Sequence, residues 1–344
     1  MNYNLRLRSV LPTFVPAGFA DVGPGTVRDA STGKTLVIVD SVQSIANHLE
    51  ATIVTQPGQV IAGLEEMPFL RLTITDPQGR TRVTSSLELP HRLASGWFCR
   101  AADLKSFQQE LARRIQHDGI AAASFYYCPN SLLHGVFYSQ LAGLVDPNVA
   151  KTPRLLTAEV VARGAQSVSD GGVAKDPLSV NGQEFDLESA FPKRDKDKEL
   201  SSENPASRVG LGYILFRHQA FIAEEIELAV YLAQARIDRL PLPEPAREVI
   251  ALLARLKLAR LLAEPLDLRA HCIFQAEEVP PELGDPVGLL NALREKLTDC
   301  RGLGLLAEPA VTEFALTLGA AKQKPKKGKA AASVAGAEQE EEQG

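Results

Sequence analysis

Cysteines, aromatic residues and long apolar runs are all scarce in this chain of 344 residues. Its four cysteines are scattered and form no CxxC pair, which disfavours a zinc site and predicts buried free thiols in a reducing compartment. Aromatic residues make up 6% of the chain, so a broad platform for base stacking is not expected. No apolar run approaches the roughly 20 residues of a membrane span, and the N-terminus lacks the apolar core of a secretory signal. We therefore expect a cytoplasmic protein with no membrane partner.

The chain also lacks an excess of positive charge. Lysine and arginine number 37 against 42 aspartate and glutamate residues, giving a net charge of −5. A dedicated nucleic-acid-binding protein is usually basic, so the balance counts against a broadly cationic surface but leaves a local basic track open. Hydrophobic residues make up 45% of the chain, enough for one large domain or two modest ones.

Motifs for catalysis and cofactor binding are missing. The sequence has no Walker loop, no GxSxG elbow and no HExxH motif. GLGLLA (302–307) resembles a dinucleotide fingerprint, but it follows a predicted helix, which favours a helix end and a loop. None of the six histidines has a metal-binding partner at i+4, and Asp195 and Asp197 lie in a lysine-rich run typical of a solvated loop. We therefore predict no catalytic activity, no cofactor and no metal.

Apolar patterning predicts interleaved strands and helices. Residues 213–221 are typical of a strand that leads into a helix over about 222–238. Further helices are predicted at 41–50, with Ser41 as the N-cap, and at 103–117, 246–263 and 287–299. Further strands are predicted at 4–11, 35–40, 69–75, 154–164, 266–275 and 311–318. The irregular alternation favours the α+β class, with helices on one face of a mostly antiparallel sheet.

Two segments depart from this pattern. Residues 165–208 contain Gly171-Gly172, many serines and asparagines, and the charge run Lys193–Glu199, which together predict an irregular insertion. Residues 320–344 contain AKQKPKKGK followed by EQEEEQG, which predicts a disordered, charged tail. The folded region is thus expected to comprise residues 1–164 and 209–319.

Polar side chains cluster on the helix predicted after the strand TLVIVD. In SVQSIANHLE, Gln43 and Asn47 are i,i+4 partners, as are Ser44 and His48. These stripes could form a solvated helix face. Alternatively, together with the N-terminal amides of the helix, they could donate hydrogen bonds to phosphate or sugar oxygens.

Two further strings carry polar groups. TSSLELPHR provides the hydroxyl and cationic donors Thr84, Ser85, Ser86, His91 and Arg92. PNSLLHGVF provides Asn130, Ser131 and His134, of which the histidine could equally be a satisfied core residue. Arg154, Arg163 and Lys175 add positive charge around the following strand and glycine loop. Taken together, the three clusters indicate a polar, locally basic track without catalytic geometry.

Five strings in this order carry a resemblance to a known family: FVPAGFADVGPG, VDSVQSIANHLE, TSSLELPHRLAS, PNSLLHGVF and PRLLTAEVVARG. Over about residues 5–275 the chain resembles the RAMP-superfamily backbone subunit of type I CRISPR surveillance complexes, and is most similar to subtype I-G, formerly I-U. The resemblance implies a modified RNA-recognition-motif (ferredoxin-like) palm with inserted finger and thumb elements. The irregular stretch 165–208 would then be a candidate thumb or finger loop.

The resemblance also implies a function. Such a subunit is non-catalytic, binds CRISPR RNA, polymerises with further copies of itself along the guide, and supports pairing of the guide with the target DNA strand. Its other partners would be Cascade subunits, namely a large subunit and a fused cap and processing subunit. The resemblance implies an RNA-binding role for Ser41, Gln43, Ser44, Asn47, His48, Thr84, Ser85, Ser86, His91, Arg92, Asn130, His134 and Arg154. Arg163 and Lys175 are expected to add to the same RNA-binding track.

Two alternatives remain open from the sequence. One is a metal-independent CRISPR RNA-processing endonuclease of the same superfamily, which would use His91 or His134 as a general acid or base. The other is a protein-only scaffold that carries no RNA.

Overall fold

Alternating side chains define the first strand of the protein. The computed structural model describes residues 1–19, 22–141, 143–146, 150–175 and 213–319, and for residues 19, 170, 171, 173–175 and 213–218 it describes the backbone only. In Asn2–Ser9, the side chains of Tyr3, Leu5 and Leu7 are buried while those between them are exposed. Successive side chains of a strand point to opposite faces, so this strand turns one face to the core and the other to solvent.

The described residues form strands and helices in alternation. The strands are β1 (Asn2–Ser9), β2 (Gly18–Phe19), β3 (Gly23–Pro24), β4 (Thr26–Arg28), β5 (Thr35–Asp40), β6 (Val54–Gln56), β7 (Gln59–Val60), β8 (Phe69–Thr75), β9 (Thr81–Ser85), β10 (Leu156–Arg163), β11 (Gln166–Lys175), β12 (Tyr213–Ile222), β13 (Glu225–Leu232), β14 (Leu266–Arg269), β15 (Cys272–Ala276) and β16 (Val311–Thr317). The helices are α1 (Val42–Ala51), α2 (Gly96–Cys99), α3 (Lys105–Asp118), α4 (Ile120–Tyr127), α5 (Pro129–His134), α6 (Gln234–Ile237), α7 (Glu244–Leu262) and α8 (Pro286–Gly302).

Seven strands make up the main sheet, in the order β14-β15-β1-β13-β10-β5-β4. Every neighbouring pair is antiparallel. At its centre Leu5 of β1 lies opposite Leu228 of β13, and Leu228 lies opposite Val160 of β10. All three side chains are buried, so this row anchors the sheet to the core. Strands β11 and β12 pair with each other as an antiparallel hairpin that continues from β10 and β13.

Helices cover one face of this sheet. Helix α1 packs on β10, and α7 packs against α1, α5 and α8. Eleven of the 19 residues of α7 are buried, including Val249, Leu253 and Leu256, which are fully enclosed. Burying one such side chain contributes about 1.5–3 kcal/mol, so α7 is a main source of the stability of the helical layer.

A second sheet holds the remaining long strands. Strand β8 lies at its centre, parallel to β16 on one side and antiparallel to β9 on the other. Phe314 of β16 contacts Phe98 of α2 and Phe107 of α3, with ring centroids 5.8 and 4.9 Å apart. These aromatic contacts tie the short helix α2 to the second sheet.

The α+β class predicted from the sequence is confirmed, but three element predictions are wrong. The helix predicted over 222–238 is mostly strand β13, because Ile226, Leu228, Val230 and Leu232 recur at every second position between two partner strands. The strand predicted over 266–275 is two strands that turn at His271, whose φ is +60°. Within the stretch predicted to be irregular, residues 166–175 form β11. Residues 176–212 and the tail 320–344 lie outside the described residues.

The prediction of buried free thiols is confirmed. Cys99, Cys128, Cys272 and Cys300 are all free and buried. Burial raises the pKa of Cys99 and of Cys300 to about 12 and that of Cys272 to about 11, because a thiolate loses its solvation in the core.

The buried thiols lead to a test of the fold. A thiol reagent such as Ellman's reagent at pH 8 should find no reactive cysteine in the native protein, because the thiolate is the nucleophile and none of the four is accessible. The same protein in guanidinium chloride should yield four equivalents. Rapid reaction of one or more equivalents before unfolding would contradict this core.

Candidate nucleic-acid interface

The sequence TLVIVDS sets up the start of helix α1. Val37 and Val39 of β5 are buried, and the chain turns from strand to helix at Ser41, which has φ −79° and ψ 160°. The hydroxyl of Ser41 accepts a hydrogen bond from the backbone N–H of Ser44 at 3.3 Å, so the predicted N-cap is confirmed. The first turn carries no acidic residue. The positive end of the helix dipole therefore has no carboxylate of its own turn beside it.

A chain of hydrogen bonds runs along the exposed side of α1. Arg154 donates to the side-chain oxygen of Gln43 and, at 3.4 Å, to the carbonyl of Val42. The amide nitrogen of Gln43 in turn donates to Asn47 at 3.0 Å. No ion pair joins Arg154 to a carboxylate within the described part of the chain. Burial lowers the pKa of the Arg154 guanidinium and the nearby Arg92 lowers it further, yet an arginine stays protonated at neutral pH.

His48 lies at the other end of this helix face. Its Nε2 is 3.7 Å from a carboxylate oxygen of Asp40, which is fully buried at the end of β5. The other Asp40 oxygen is paired with the guanidinium of Arg269, which also donates to the carbonyl of Val39 at 3.1 Å. The carboxylate thus ties β14 to the end of β5, while its oxygen nearest His48 has no hydrogen-bond partner among the described atoms. We call Ser41, Gln43, Ser44, Asn47, His48 and Arg154 the α1 surface.

Beneath this surface lies a set of buried charged and polar groups. Glu50, in the last turn of α1, accepts two hydrogen bonds from Arg92 and one from Asn130, each at 2.7 Å. Lys257 of α7 donates to the side-chain oxygen of Asn130, and its Nζ is 3.0 Å from Nε2 of His134. We call these five residues the buried network. It connects α1, α5, α7 and the segment after β9.

The buried network carries one negative and two positive groups when Lys257 is protonated. Burial lowers the pKa of Lys257 to about 8, although Glu50 opposes the shift. Burial also holds the pKa of His134 well below its usual range, and the positive charge of Lys257 adds to the effect. An ammonium group only donates, so Nε2 of the neutral imidazole accepts and Nδ1 carries the proton. Nδ1 has no hydrogen-bond partner among the described atoms.

Five residues expected to contact RNA are instead enclosed by protein: Ser85, Ser86, Arg92, Asn130 and His134. The Ser85 hydroxyl donates to Glu88 at 2.7 Å, and the Ser86 hydroxyl accepts from the backbone of Leu70 at 3.0 Å. In this structure these side chains contact internal partners or are shielded from solvent, so they are not exposed to a ligand. Of the five, Arg92 and Asn130 are hydrogen-bonded to Glu50 of α1.

The other predicted residues lie apart from the α1 surface. Thr84 is half-buried on β9 in the second sheet, and His91 is exposed beside a groove. Arg163 points to the sheet face opposite α1, where its Nε is 3.4 Å from a Glu227 oxygen. Lys175 ends β11, and its side chain lies outside the described residues. The structure therefore brings together only the first cluster and Arg154.

Sequence reasoning missed Glu50, Lys257, Asp40 and Arg269. Of these four residues, only Lys257 could have been found from the sequence, because it lies four residues after Leu253 in an otherwise apolar helical stripe. A lysine at such a position needs a buried partner. The partners could not be named, since they come from elements far apart in sequence.

No cluster of three or more metal-ligating side chains occurs within the described ranges. Over the same ranges, none of the helices combines the length and apolar character needed to cross a bilayer.

The pKa of Lys257 predicts how stability depends on pH. The unfolded chain holds the Lys257 proton up to about pH 10.5, whereas the folded chain releases it near pH 8. In that window the unfolded state binds more protons, so the native protein gains stability as pH rises. Compared with Lys257→Met, the wild-type free energy of unfolding should rise by about 3 kcal/mol between pH 7 and 10.5.

Chemical denaturation at several pH values measures this difference. Lys105→Met, which removes an exposed lysine at the start of α3, is the matched control and should give a difference that stays flat with pH. A flat profile for Lys257→Met as well would show that the ammonium is not desolvated in the folded state.

Comparison with known proteins relates this site to a family. Residues 12–167, slightly less than half of the chain, match the family model described as CRISPR-associated protein GSU0053. The matched segment contains the whole α1 surface and all of the buried network except Lys257. A search of curated proteins found no match. The family match agrees with the CRISPR association expected from the sequence.

Proposed function

We propose that this protein is a non-catalytic subunit that binds the backbone of CRISPR RNA and assembles with further copies along the guide. The observation that carries the proposal is the hydrogen-bonded row from Arg154 through Gln43 to Asn47, beside a helix N-terminus without acidic residues. Phosphate and sugar oxygens are acceptors, and this surface offers donors.

The row has a defined direction. Gln43 accepts from Arg154 and donates to Asn47, so the amide group of Asn47 keeps its own N–H donors for a ligand. Arg154 has five N–H groups, of which two are used within the protein. Charge-assisted hydrogen bonds to phosphate are about twice as strong as neutral ones, so Arg154 would contribute more to the affinity than any neutral donor of this surface.

Such contacts carry no information about base sequence. A guide-binding subunit has to accept any guide sequence, because base pairing with the target provides the specificity. Donors aimed at the backbone meet this requirement. The net charge of −5 fits the same view, since a small cationic site suffices when the remaining surface faces solvent or other subunits.

The topology supports a ferredoxin-like palm. The strand order β15-β1-β13-β10 is antiparallel throughout, with α1 between β1 and β10 in sequence and α7 between β13 and β15. In a βαββαβ fold the first strand likewise lies between the third and the fourth. Under this proposal, the further partners of the assembled complex would be the target DNA strand, a large subunit and a cap and processing subunit.

The processing endonuclease receives less support from the geometry. A general acid or base must come within hydrogen-bond reach of the substrate, directly or through one water molecule. His134 is 1% exposed and is held beside Lys257. His91 is exposed and is the candidate that this alternative would have to use.

The contribution of Arg154 can be measured with single-stranded RNA. Arg154→Gln should weaken binding by about tenfold or more for unrelated RNA sequences alike, because one charged hydrogen-bonding group is lost. The slope of log affinity against log salt should fall by about 0.7. Fluorescence anisotropy at several salt concentrations gives both values.

Arg113→Gln is the matched control for charge, since Arg113 is exposed on α3 and paired with Glu110. Its affinity and salt slope should stay at the wild-type values. Equal losses in both variants would mean that net charge, not the α1 surface, governs binding. Wild-type protein that binds no RNA at all would favour the scaffold.

The non-catalytic role is tested with precursor CRISPR RNA. Purified wild-type protein should leave this RNA intact over hours without added metal, because the proposal assigns no side chain the role of general acid or base. Cleavage products that vanish in His91→Ala but persist in the matched surface variant His117→Ala would instead establish the endonuclease.

A further inference from the structure

The single tryptophan of the chain lies in a groove away from the α1 surface. Trp97 is on helix α2 and is 37% exposed. It lines a cavity of about 670 Å³ between α2 and the end of β16, whose walls are mostly apolar. Leu316 is buried in the wall, and Leu318 is partly exposed.

Local packing keeps the indole at the surface. The hydroxyl of Ser95 accepts from the backbone N–H of Trp97 at 3.4 Å and starts a helix of only four residues. The next residue, Phe98, is fully buried against Phe314. Because the side chain of Phe98 fills the core, that of its neighbour Trp97 is turned outward. The groove wall is therefore set by the core and does not depend on the indole itself.

The rim of this groove carries an arginine and few carboxylates. Arg100 donates to the side-chain oxygen of Gln140 at 3.3 Å, and no ion pair joins it to a carboxylate within the part of the chain that is described. His91 also lines the groove, and Asp103 is its one carboxylate. Four other cavities in the described chain are each lined by two or three carboxylates. Of these five cavities, the Trp97 groove has the fewest carboxylates that would repel a phosphate.

We propose that the Trp97 groove binds one unpaired base of a single-stranded nucleic acid, stacked on the indole, while Arg100 and His91 contact the adjoining phosphates. This inference rests on the proposed RNA-binding function. A planar aromatic ring, a neighbouring guanidinium and an amide at the rim form the combination that holds an unstacked base. An apolar side chain of a protein partner would leave the cationic rim without a counterpart.

A single peptide step connects the groove to a residue that is hydrogen-bonded to helix α1. His91 lines the groove, and the next residue, Arg92, is hydrogen-bonded to Glu50 of α1. The buried network thus fixes one side of the groove relative to α1. A strand held by its backbone at α1 and by one base at Trp97 would be gripped at two points.

Intrinsic fluorescence tests the inference directly, because Trp97 is the sole tryptophan. A single-stranded 12-nucleotide RNA should quench its emission at concentrations where anisotropy of the labelled RNA shows binding. An abasic ribose-phosphate oligomer of equal length should compete in the anisotropy assay without quenching. Trp97→Leu should weaken RNA binding about 5- to 140-fold, while Trp97→Phe, which keeps an aromatic ring, should stay within a few-fold of wild type.

The outcomes separate this inference from the proposed function. RNA binding without quenching, together with unchanged affinity of Trp97→Leu, would overturn the base site and leave backbone binding at α1 intact. A flat anisotropy signal for every RNA would overturn the proposed function and this inference with it. A shift of Trp97 emission with protein concentration alone would show that a second copy fills the groove, and would overturn the base site.

Discussion

The position of helix α1 depends on the hydrogen bonds that the Glu50 carboxylate accepts in the core. This carboxylate accepts three hydrogen bonds, from Arg92 and Asn130, and Asn130 passes the connection to Lys257. One side chain of α1 is thereby joined to the segment after β9, to α5 and to α7. Breaking a buried pair of this kind by removing one partner costs about 3–5 kcal/mol, since an uncompensated charge stays in the core. Helix α1 is consequently fixed in position as well as in conformation.

The buried network explains why the strings that resemble a known family are rich in polar side chains. TSSLELPHR and PNSLLHGVF are rich in hydroxyl, amide and imidazole groups, which at first indicate a binding surface. In the folded chain most of these groups satisfy one another or cap backbone donors, as Ser86 does for Leu70 and Ser131 for Leu93. Unsatisfied polar groups are costly in a core, so a segment that buries them needs partners at defined positions. A distinctive polar string can therefore reflect the requirements of packing in the core. Under the proposed function, the residues of the α1 surface contact the ligand.

Under the proposed function, the separation of buried from exposed groups accounts for the binding of a polyanion by an acidic chain. The buried network presents little charge to solvent, while the α1 surface and the rim of the Trp97 groove present arginines without carboxylate partners in the described chain. Several other cations are neutralised in pairs, as with Arg163 and Glu227 or Arg113 and Glu110. Local electrostatics at two sites, and not the net charge, then decide where a phosphate is accepted.

The sequence alone determined the features that depend on near neighbours in the chain. It predicted the strand 35–40, the cap at Ser41 and the helix that follows, because a hydroxyl at the N-cap and apolar spacing act within one or two turns. It also predicted the α+β class and the burial of the cysteines. It failed at 225–232, where a period of two was hidden by helix-favouring residues, because pairing with β1 and β10 outweighs local propensity.

Only the tertiary structure decided which polar residues face solvent. Glu50 and Arg92 are 42 positions apart, and Lys257 is a further 165 positions along the chain from Arg92. No pattern within a window of sequence encodes that these side chains meet, because their contact is set by the packing of α1, α5 and α7 on one sheet. The same packing turns Ser85, Ser86, Asn130 and His134 inward and leaves Gln43, Asn47, Arg154 and Trp97 accessible. The sequence showed which side chains could donate hydrogen bonds to a ligand, whereas the fold determined which of them are exposed.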